Sequence, residues 1–571
     1  MIRTTSAAGG GLRWHALPDW EPLLFGPNGL RLGAWKDAAC LEVLKKGRHR
    51  TVYRVRLPDR TVYVKHRCAA RPADVVSHLF RPSDARREWL KAAELSRRGI
   101  ATVKPVAWQE RTCFGLVWES FLVTEAIEPS CSLEEFFQRR LDELPPSSRR
   151  HVWLQVIEEL ARFTAAIHRA GVAHPDFHSG NVLLGTGNLT AKGGADDARA
   201  IYLIDVPGVR FEKHGPLAWA ASRESLAMLH SGWWERTSRS QRLRFWQTYL
   251  RHRPELETPA EQTALRQIDL STRRHARRIA RRRDRRSLAT NRDFTARSAL
   301  DVKAHAVADL DQADLARLLH DPEELLWRNL AHPVKLGHTS IAVRAELRLG
   351  GQPLPVLYKR YRPRNAWRAF WGRFQRSRAV RSWCGGHALW LRKIPTARPL
   401  IVCQRHSAAA VADGYLATEW IEGAENLHQY ARRLAELPAS RRLRRAAAAA
   451  ERLGALIGRM HAWGVAHGDL KAANLLVVEK EPAPVAYVID TDDVRAFRRL
   501  GLRRQSRDLA RLATGIEAHP WIGRTLLARF FRAYRRQFPP GQVDWKCLWR
   551  AAWKRSRRES RRKRSRGRPV L

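Results

Sequence analysis

Acidic residues are scarce in this chain: 56 Asp and Glu stand against 104 Lys and Arg, for a net charge of +48 over 571 residues. An imbalance of that size goes far beyond what solubility needs. It points to an anionic partner: an anionic membrane face, a phosphorylated or acidic substrate, or nucleic acid. Long apolar runs are also missing. No stretch approaches the roughly 20 apolar residues that span a bilayer, and residues 1–20 lack the apolar core of a signal peptide. A cytoplasmic chain, soluble or peripheral on a membrane, is expected. The seven cysteines, at positions 40, 68, 113, 131, 384, 403 and 547, form no CxxC pair. That argues against a zinc site or a disulfide framework and for reduced thiols. What is present is apolar material: 44% of residues are hydrophobic, enough for packed cores. The length allows two to four domains at roughly 150 residues each.

The chain repeats itself at about 294 residues, the separation of Lys65 from Lys359. VYVKHR around Lys65 matches VLYKRY around Lys359, and SDARREW at 83–89 matches SRAVRSW at 377–383. LVTEAIE at 122–128 matches LATEWIE at 416–422. IHRAGVAHPDFHSGNVLL at 167–184 matches MHAWGVAHGDLKAANLLV at 460–477, and YLIDV at 202–206 matches YVIDT at 487–491. The spacing agrees as well: Lys65 precedes Asp176 by 111 residues, and Lys359 precedes Asp469 by 110. A period of this length is a duplicated domain and not a solenoid. The expected division is 1–290, 291–553 and a basic, disordered tail from 554 to 571.

Within each repeat the order of elements is legible. TVYRVRL and TVYVKHR alternate in β-branched residues and read as an antiparallel hairpin. DARREWLKAAELSRRG reads as an amphipathic helix stopped at Gly99, and VWLQVIEELARFTAAIHRAG as a second helix stopped at Gly171. A small sheet followed by helices predicts an α+β fold with two lobes per repeat.

Both repeats carry His-x-Asp, then Asn five residues after the Asp, then an apolar strand, then a second strand ending in Asp. These are His174, Asp176, Asn181 and Asp205 in the first, and His467, Asp469, Asn474 and Asp490 in the second. Phosphoryl transfer needs these parts. A carboxylate must sit at the acceptor hydroxyl, the role expected of Asp176 and Asp469, and two oxygen ligands must hold Mg²⁺ on the phosphates of ATP. Asn181 with Asp205, and Asn474 with Asp490, are the expected metal pairs.

This pattern resembles the catalytic and metal loops of the protein-kinase superfamily. The resemblance implies two tandem protein-kinase-like bilobal domains. It implies that Lys65 and Lys359 reach the nucleotide phosphates, that Glu88 pairs with Lys65, and that Gly47 and Gly337 mark the phosphate-covering loop. Neither loop is a GxGxxG, and DVPG at 205–208 and DTDD at 490–493 replace Asp-Phe-Gly. Ser382 stands where the second helix Glu belongs, so Lys359 is expected to lack that ion pair, and the second domain to be the slower site unless another acid substitutes. HPDFHSGN and HGDLKAAN, without an Ala-Pro-Glu segment, are similar to the small-molecule and glycolipid kinases. With GIATVKP at 99–105, KIPTARP at 393–399 and RDLARL at 507–512, the chain most resembles the lipopolysaccharide kinases that phosphorylate Kdo or heptose. That family implies a brace for the catalytic loop at Asp508, and Glu224 is the looser counterpart in the first repeat. Lys471, two residues after Asp469, is what protein-serine kinases often have, whereas His178 is typical of small-molecule kinases. A serine/threonine protein kinase and a nucleotide-binding scaffold without turnover therefore stay open beside the glycolipid kinase.

Three basic segments stand out. Residues 273–286 hold nine Arg, residues 360–381 hold eight Arg interleaved with Trp367, Phe370, Trp371 and Phe374, and residues 554–568 hold ten Lys or Arg. They read either as solvated faces or as a surface for anionic lipid or an anionic glycolipid acceptor. No nucleic-acid module is recognisable, so no specific nucleic-acid partner is expected. Oligomeric state is not legible.

Overall fold

The computed structural model describes residues 5–565 except 10, 48, 70–80, 187–200, 234–236, 300, 363–375, 407–410, 540 and 542. The basic and aromatic run at 360–381 therefore lies largely outside the described residues. The chain divides into two units, Met1–Ala276 and Arg277–Leu571, each mixed α/β with antiparallel sheets and many helices.

The first unit opens with a seven-stranded antiparallel sheet of β1 (Thr5–Gly9), β2 (Leu12–Ala16), β3 (Leu41–Lys46), β4 (Arg50–Arg56), β5 (Thr61–Cys68), β6 (Pro105–Cys113) and β7 (Leu116–Glu125), in the order β1-β2-β6-β7-β5-β4-β3. The alternating run forms the expected hairpin: β4 pairs with β5 in a register that sets Val52 opposite Lys65. Val62, Val64, Phe121 and Val123 bury one face of this sheet under Trp20 and Trp35. Helix α1 (Asp84–Arg97) starts where the Ser83 side chain accepts the N–H of Arg86. The helical lobe holds α2 (Pro146–Arg169), α3 (Trp219–His230), α4 (Arg239–Arg251) and α5 (Glu261–Asp284), the last of which carries the division between units. Its core is separate and gathers Phe136, Trp153, Leu160 and Trp246. The chain leaves α2 through Gly171 at φ +68°, and a Cβ there would meet the Gly215 carbonyl oxygen at 2.6 Å, which is why glycine stands at this exit.

The second unit repeats the plan. β8 (Phe294–Ala299), β9 (Val302–Val307), β10 (Pro333–Gly337), β11 (Ser340–Leu349), β12 (Gln352–Tyr361), β13 (Pro399–His406) and β14 (Val411–Glu419) pair in the order β8-β9-β13-β14-β12-β11-β10. Helix α6 (Arg378–Trp390) packs on this sheet, and the helical lobe holds α7 (Leu427–Ala435), α8 (Ala439–Ala462), α9 (Leu502–Ile516), α10 (Arg524–Arg535) and α11 (Trp545–Arg564). Sheet and helices again have separate cores, one around Tyr358 and Trp383, the other around Ile457, Leu470 and Tyr534.

One expectation needs correction here. Residues from 554 to Arg564 are not a disordered tail but the second half of α11. Leu548, Ala552, Ser556 and Ser560 recur every four residues and are buried. Ser556 and Ser560 donate to Glu517 at 3.1 and 2.8 Å. A small-residue seam packed against α9 holds a helix that composition alone marks as solvated.

Candidate active site

In each unit the same short loop follows the long central helix. In the second unit it lies between strands Val465–Ala466 and Leu475–Val478. The Asn474 side-chain N–H donates to the Asp469 main-chain carbonyl at 2.9 Å, so the five-residue gap closes the loop on itself. Ile489 N–H donates to the Asn474 carbonyl at 3.0 Å, which brings Asn474 beside Asp490. Asp490 sits at φ +59°, a left-handed turn that swings its carboxylate off the end of strand Val485–Val488. Asn181 and Asp205 are brought together in the same way: Asn181 donates to the Asp176 carbonyl at 2.9 Å, Ile204 N–H donates to the Asn181 carbonyl at 3.0 Å, and Asp205 also has φ +59°. The threonines of GIATVKP and KIPTARP fix this strand, since Thr102 and Thr396 donate to the carbonyls of Leu203 and Val488, both at 2.7 Å.

The lysines find different partners in the two units. Lys65 on β5 pairs with Glu88 on α1, as expected. Asp205 is engaged instead by Arg50 of β4 at 3.3 Å, and although burial pushes its pKa up, Arg50 and Lys65 hold it below the usual carboxylate value. At Lys359 another acid does stand in for the missing glutamate. Its ammonium lies 2.9 Å from Asp490 and 4.7 Å from the centre of the Tyr361 ring. Burial disfavours that charge, but Tyr361 and Asp490 outweigh it and raise the lysine pKa. The place of the missing glutamate is filled: buried Ser382 accepts from the Tyr361 hydroxyl at 3.3 Å, and its carbonyl accepts from Thr491 at 2.8 Å. Gly47 and Gly337 lie at the β3–β4 and β10–β11 turns, where Gly47 N–H donates to the Arg50 carbonyl at 2.9 Å and Gly337 pairs with Ser340.

The two His-x-Asp loops differ most in what holds them. Asp508 on α9 accepts the N–H of His467 at 2.8 Å and of Gly468 at 3.0 Å, and contacts His461 Nε2 at 3.3 Å. Burial raises its pKa, but His461 and the backbone donors more than reverse this and keep it ionised. This is the expected brace. Its counterpart in the first unit is not Glu224, which accepts from Ser271 at 3.0 Å and lies against His275 on α5. Ser225 fills the place instead, 2.7 Å from His168 Nε2, and the two histidines share a further match, their Nδ1 atoms each 2.9 Å from a tyrosine hydroxyl, Tyr249 and Tyr534. Pro175, which has no N–H, stands where Gly468 gives one to Asp508.

Around the two aspartates the surroundings diverge too. Asp469 is ion-paired with Arg511 and has Lys471 Nζ at 3.5 Å, leaving its side chain 27% exposed. Among the described residues the one ionic contact of Asp176 is His178 Nε2 at 3.5 Å, and its side chain is 70% exposed. Arg511, Arg50 and Ser225 were not singled out from the sequence. The paired substitution of Gly468 by Pro175 and Asp508 by Ser225 was the signal that could have identified the last. Away from these loops, His66, Cys68 and Glu119 bring ligand atoms within 4.8 Å of one another without any CxxC spacing. Cross-strand pairing of Cys68 with Glu119 makes that cluster, which sequence spacing does not reveal.

The chain is similar to known proteins. The chain is 32% identical over 167 residues to the lipopolysaccharide core heptose(I) kinase WaaP of Pseudomonas aeruginosa, an overlap of 29% of this chain and 59% of that protein. It is 26% identical over 182 residues to the lipopolysaccharide core heptose(I) kinase WaaP of Escherichia coli K12, covering 31% and 66%. The chain thus spans less than two thirds of the length of either relative. A solved structure of WaaP in complex with acyl carrier protein aligns over 42% of this chain and 91% of that one, with 26% identity and a TM-score of 0.30. The model of the lipopolysaccharide kinase (Kdo/WaaP) family matches residues 41–242 and 362–534, most of both repeats, and the chain belongs to that family.

Proposed function

We propose that the chain is an ATP-dependent kinase that phosphorylates a sugar hydroxyl of a lipopolysaccharide-type glycolipid. In this reading it is built as two tandem protein-kinase-like domains, 1–290 and 291–553. It works as a peripheral protein on the inner face of the cytoplasmic membrane. Among the described residues no helix is long and apolar enough to cross a membrane.

The observation that carries this reading is the braced loop of the second unit: Asp469 held through Asn474, Asp508 and Arg511, with Lys359 and Asp490 in contact beside it. Asp469 would accept the proton of the acceptor hydroxyl, and Lys359 would hold the nucleotide phosphates. Asn474 and Asp490 suit a hard cation, since both offer side-chain oxygen, Asn474 is tied to the Asp469 carbonyl, and Asn474 lies beside Asp490. A bound Mg²⁺ would neutralise charge on the transferring phosphoryl group. Lys471 would sit at the phosphate being transferred, and Gly337 at the loop above it. In the first unit the matching roles fall to Asp176, Lys65 with Glu88, Asn181, Asp205 and Gly47. A second reading applies to that unit, nucleotide binding without efficient transfer, and Ser225, Pro175 and the open Asp176 favour it.

Labelled ATP with Mg²⁺, offered to the protein together with extracted glycolipid and with a protein mixture, tests the reading. Label in the glycolipid that Asp469→Asn abolishes is the expected result. Label confined to polypeptide, or absent from both, overturns it.

A further inference from the structure

Helix α11 lies beyond the family match, which ends at 534. Its small buried seam lets it approach α9 closely: the hydroxyls of Thr514 and Ser556 are 3.2 Å apart. Beside that seam the two helices form a strongly basic cavity. Arg507 and Arg511 from α9 face Arg555, Arg558 and Arg562 from α11 across it. Lys554 and Lys563 extend the wall, and Glu559 is its single acid among the described residues.

A merely solvated basic helix spreads its charges apart. Here seven cations converge on one cavity, and like charges that close repel unless something negative lies among them. Among the described residues Arg511 alone of the seven closes an ion pair within the protein, and its partner is Asp469. Arg511 thus joins the wall of the cavity to the carboxylate assigned to the acceptor. Arg555, Arg558 and Arg562 offer the planar, multidentate donors that suit phosphate oxygens. Arg550, Arg557 and Arg561 of the same helix are exposed and do not line the cavity.

We propose that the α9–α11 cavity is a phosphate site that takes a phosphate monoester of the acceptor and so places a neighbouring hydroxyl at Asp469. This rests on the reading of Asp469 given above. The monoester could be borne by a lipid head group or be free in solution, and the test separates the two.

The intact protein is bound to phosphatidylcholine vesicles containing phosphatidic acid, and separately titrated with inorganic phosphate. Two variants lose the same charge: Arg555→Ala/Arg558→Ala/Arg562→Ala in the cavity, and Arg550→Ala/Arg557→Ala/Arg561→Ala outside it. All six side chains are exposed, so both variants should fold, and equal melting temperatures check this. The cavity variant should weaken vesicle binding roughly a hundredfold, and the outer variant no more than about threefold. The same selective loss in the phosphate titration assigns the site to the anion itself, whereas a loss seen with vesicles alone assigns it to a lipid-borne monoester. Equal loss in both variants overturns the proposal in favour of diffuse charge, and loss in neither overturns it outright. The readout is binding and not turnover, so failure of Asp469 as the catalytic group would show in the labelled-ATP experiment and leave this result separate.

Discussion

Asp508 and Ser225 occupy matching places, and the difference between a carboxylate and a hydroxyl decides how firmly each His-x-Asp loop is held. Two carboxylate oxygens accept two backbone N–H groups and a histidine in the second unit. The serine hydroxyl meets His168, and the neighbouring Pro175 has no N–H to offer. Asp508→Ser should leave buried donors unsatisfied and cost about 2–4 kcal/mol, read as a drop in the melting temperature of the second unit. The lysine partners point the same way, because Lys359 already rests on Asp490. We therefore expect Asp469→Asn to lower turnover by at least about a hundredfold and Asp176→Asn by a few-fold at most. That reverses the ranking drawn from the missing glutamate. If Asp176→Asn is the damaging change in the labelled-ATP assay, the brace is a poorer guide than the Lys65–Glu88 pair. Installing the absent acid should not help: Ser382 is 2% exposed, so Ser382→Glu should destabilise by about 2 kcal/mol or more without raising turnover.

At the scale of elements, α6 shows how a helix can set a carboxylate it never touches. A Cβ added at Gly385 would lie 2.2 Å from the Thr491 carbonyl oxygen, and one at Gly386 would lie 2.5 Å from the Pro399 ring. The helix backbone thus sits directly on the turn Thr491–Asp493 that follows Asp490. Gly385→Ala must push the two apart. The expected outcome is a loss of about 1–3 kcal/mol in stability together with loss of activity from the second unit. Retained activity with unchanged melting would mean that the turn tolerates movement. The positions of α1, α2 and the β4–β5 hairpin were legible because their periodicity and glycine stops are local signals. Helix α11 was misread because its seam of Ala and Ser carries almost no hydropathy contrast, and only packing on α9 reveals it.

For the whole molecule, buried neutral histidines make stability depend on pH. Burial, with nearby Arg253 and Arg242 respectively, lowers the pKa of His168 and of His230 to about 3. Burial with Arg398 does the same to His387, and burial with Lys303 lowers His305 to about 4. In the unfolded chain each imidazole protonates near its ordinary value, about 6.5. Below that pH the unfolded state binds more protons than the folded one, so this contribution is fully present above about pH 6.5 and declines toward pH 3–4. Each should cost about 2 kcal/mol between pH 7 and pH 5. Urea midpoints at the two pH values should therefore fall on acidification, and by less in His230→Phe, whose ring would keep the packing against Trp233 and Phe245. An unchanged pH dependence in that variant would show that His230 protonates in the folded state.

The sequence by itself determined the repeated motif blocks, the two sets of Asp, Asn and Asp and the excess of positive charge, because each is written in local spacing or composition, while the Lys65–Glu88 pair followed from the family resemblance. Tertiary structure alone decided the rest. It gave Lys359 to Asp490, put Ser225 and not Glu224 in the place of Asp508, brought Arg511 to Asp469, and ordered α11 beside α9. Those outcomes depend on which groups meet across long stretches of chain. Whether a charged side chain finds a counter-charge, a buried donor or only water is set by that meeting and not by its sequence neighbours.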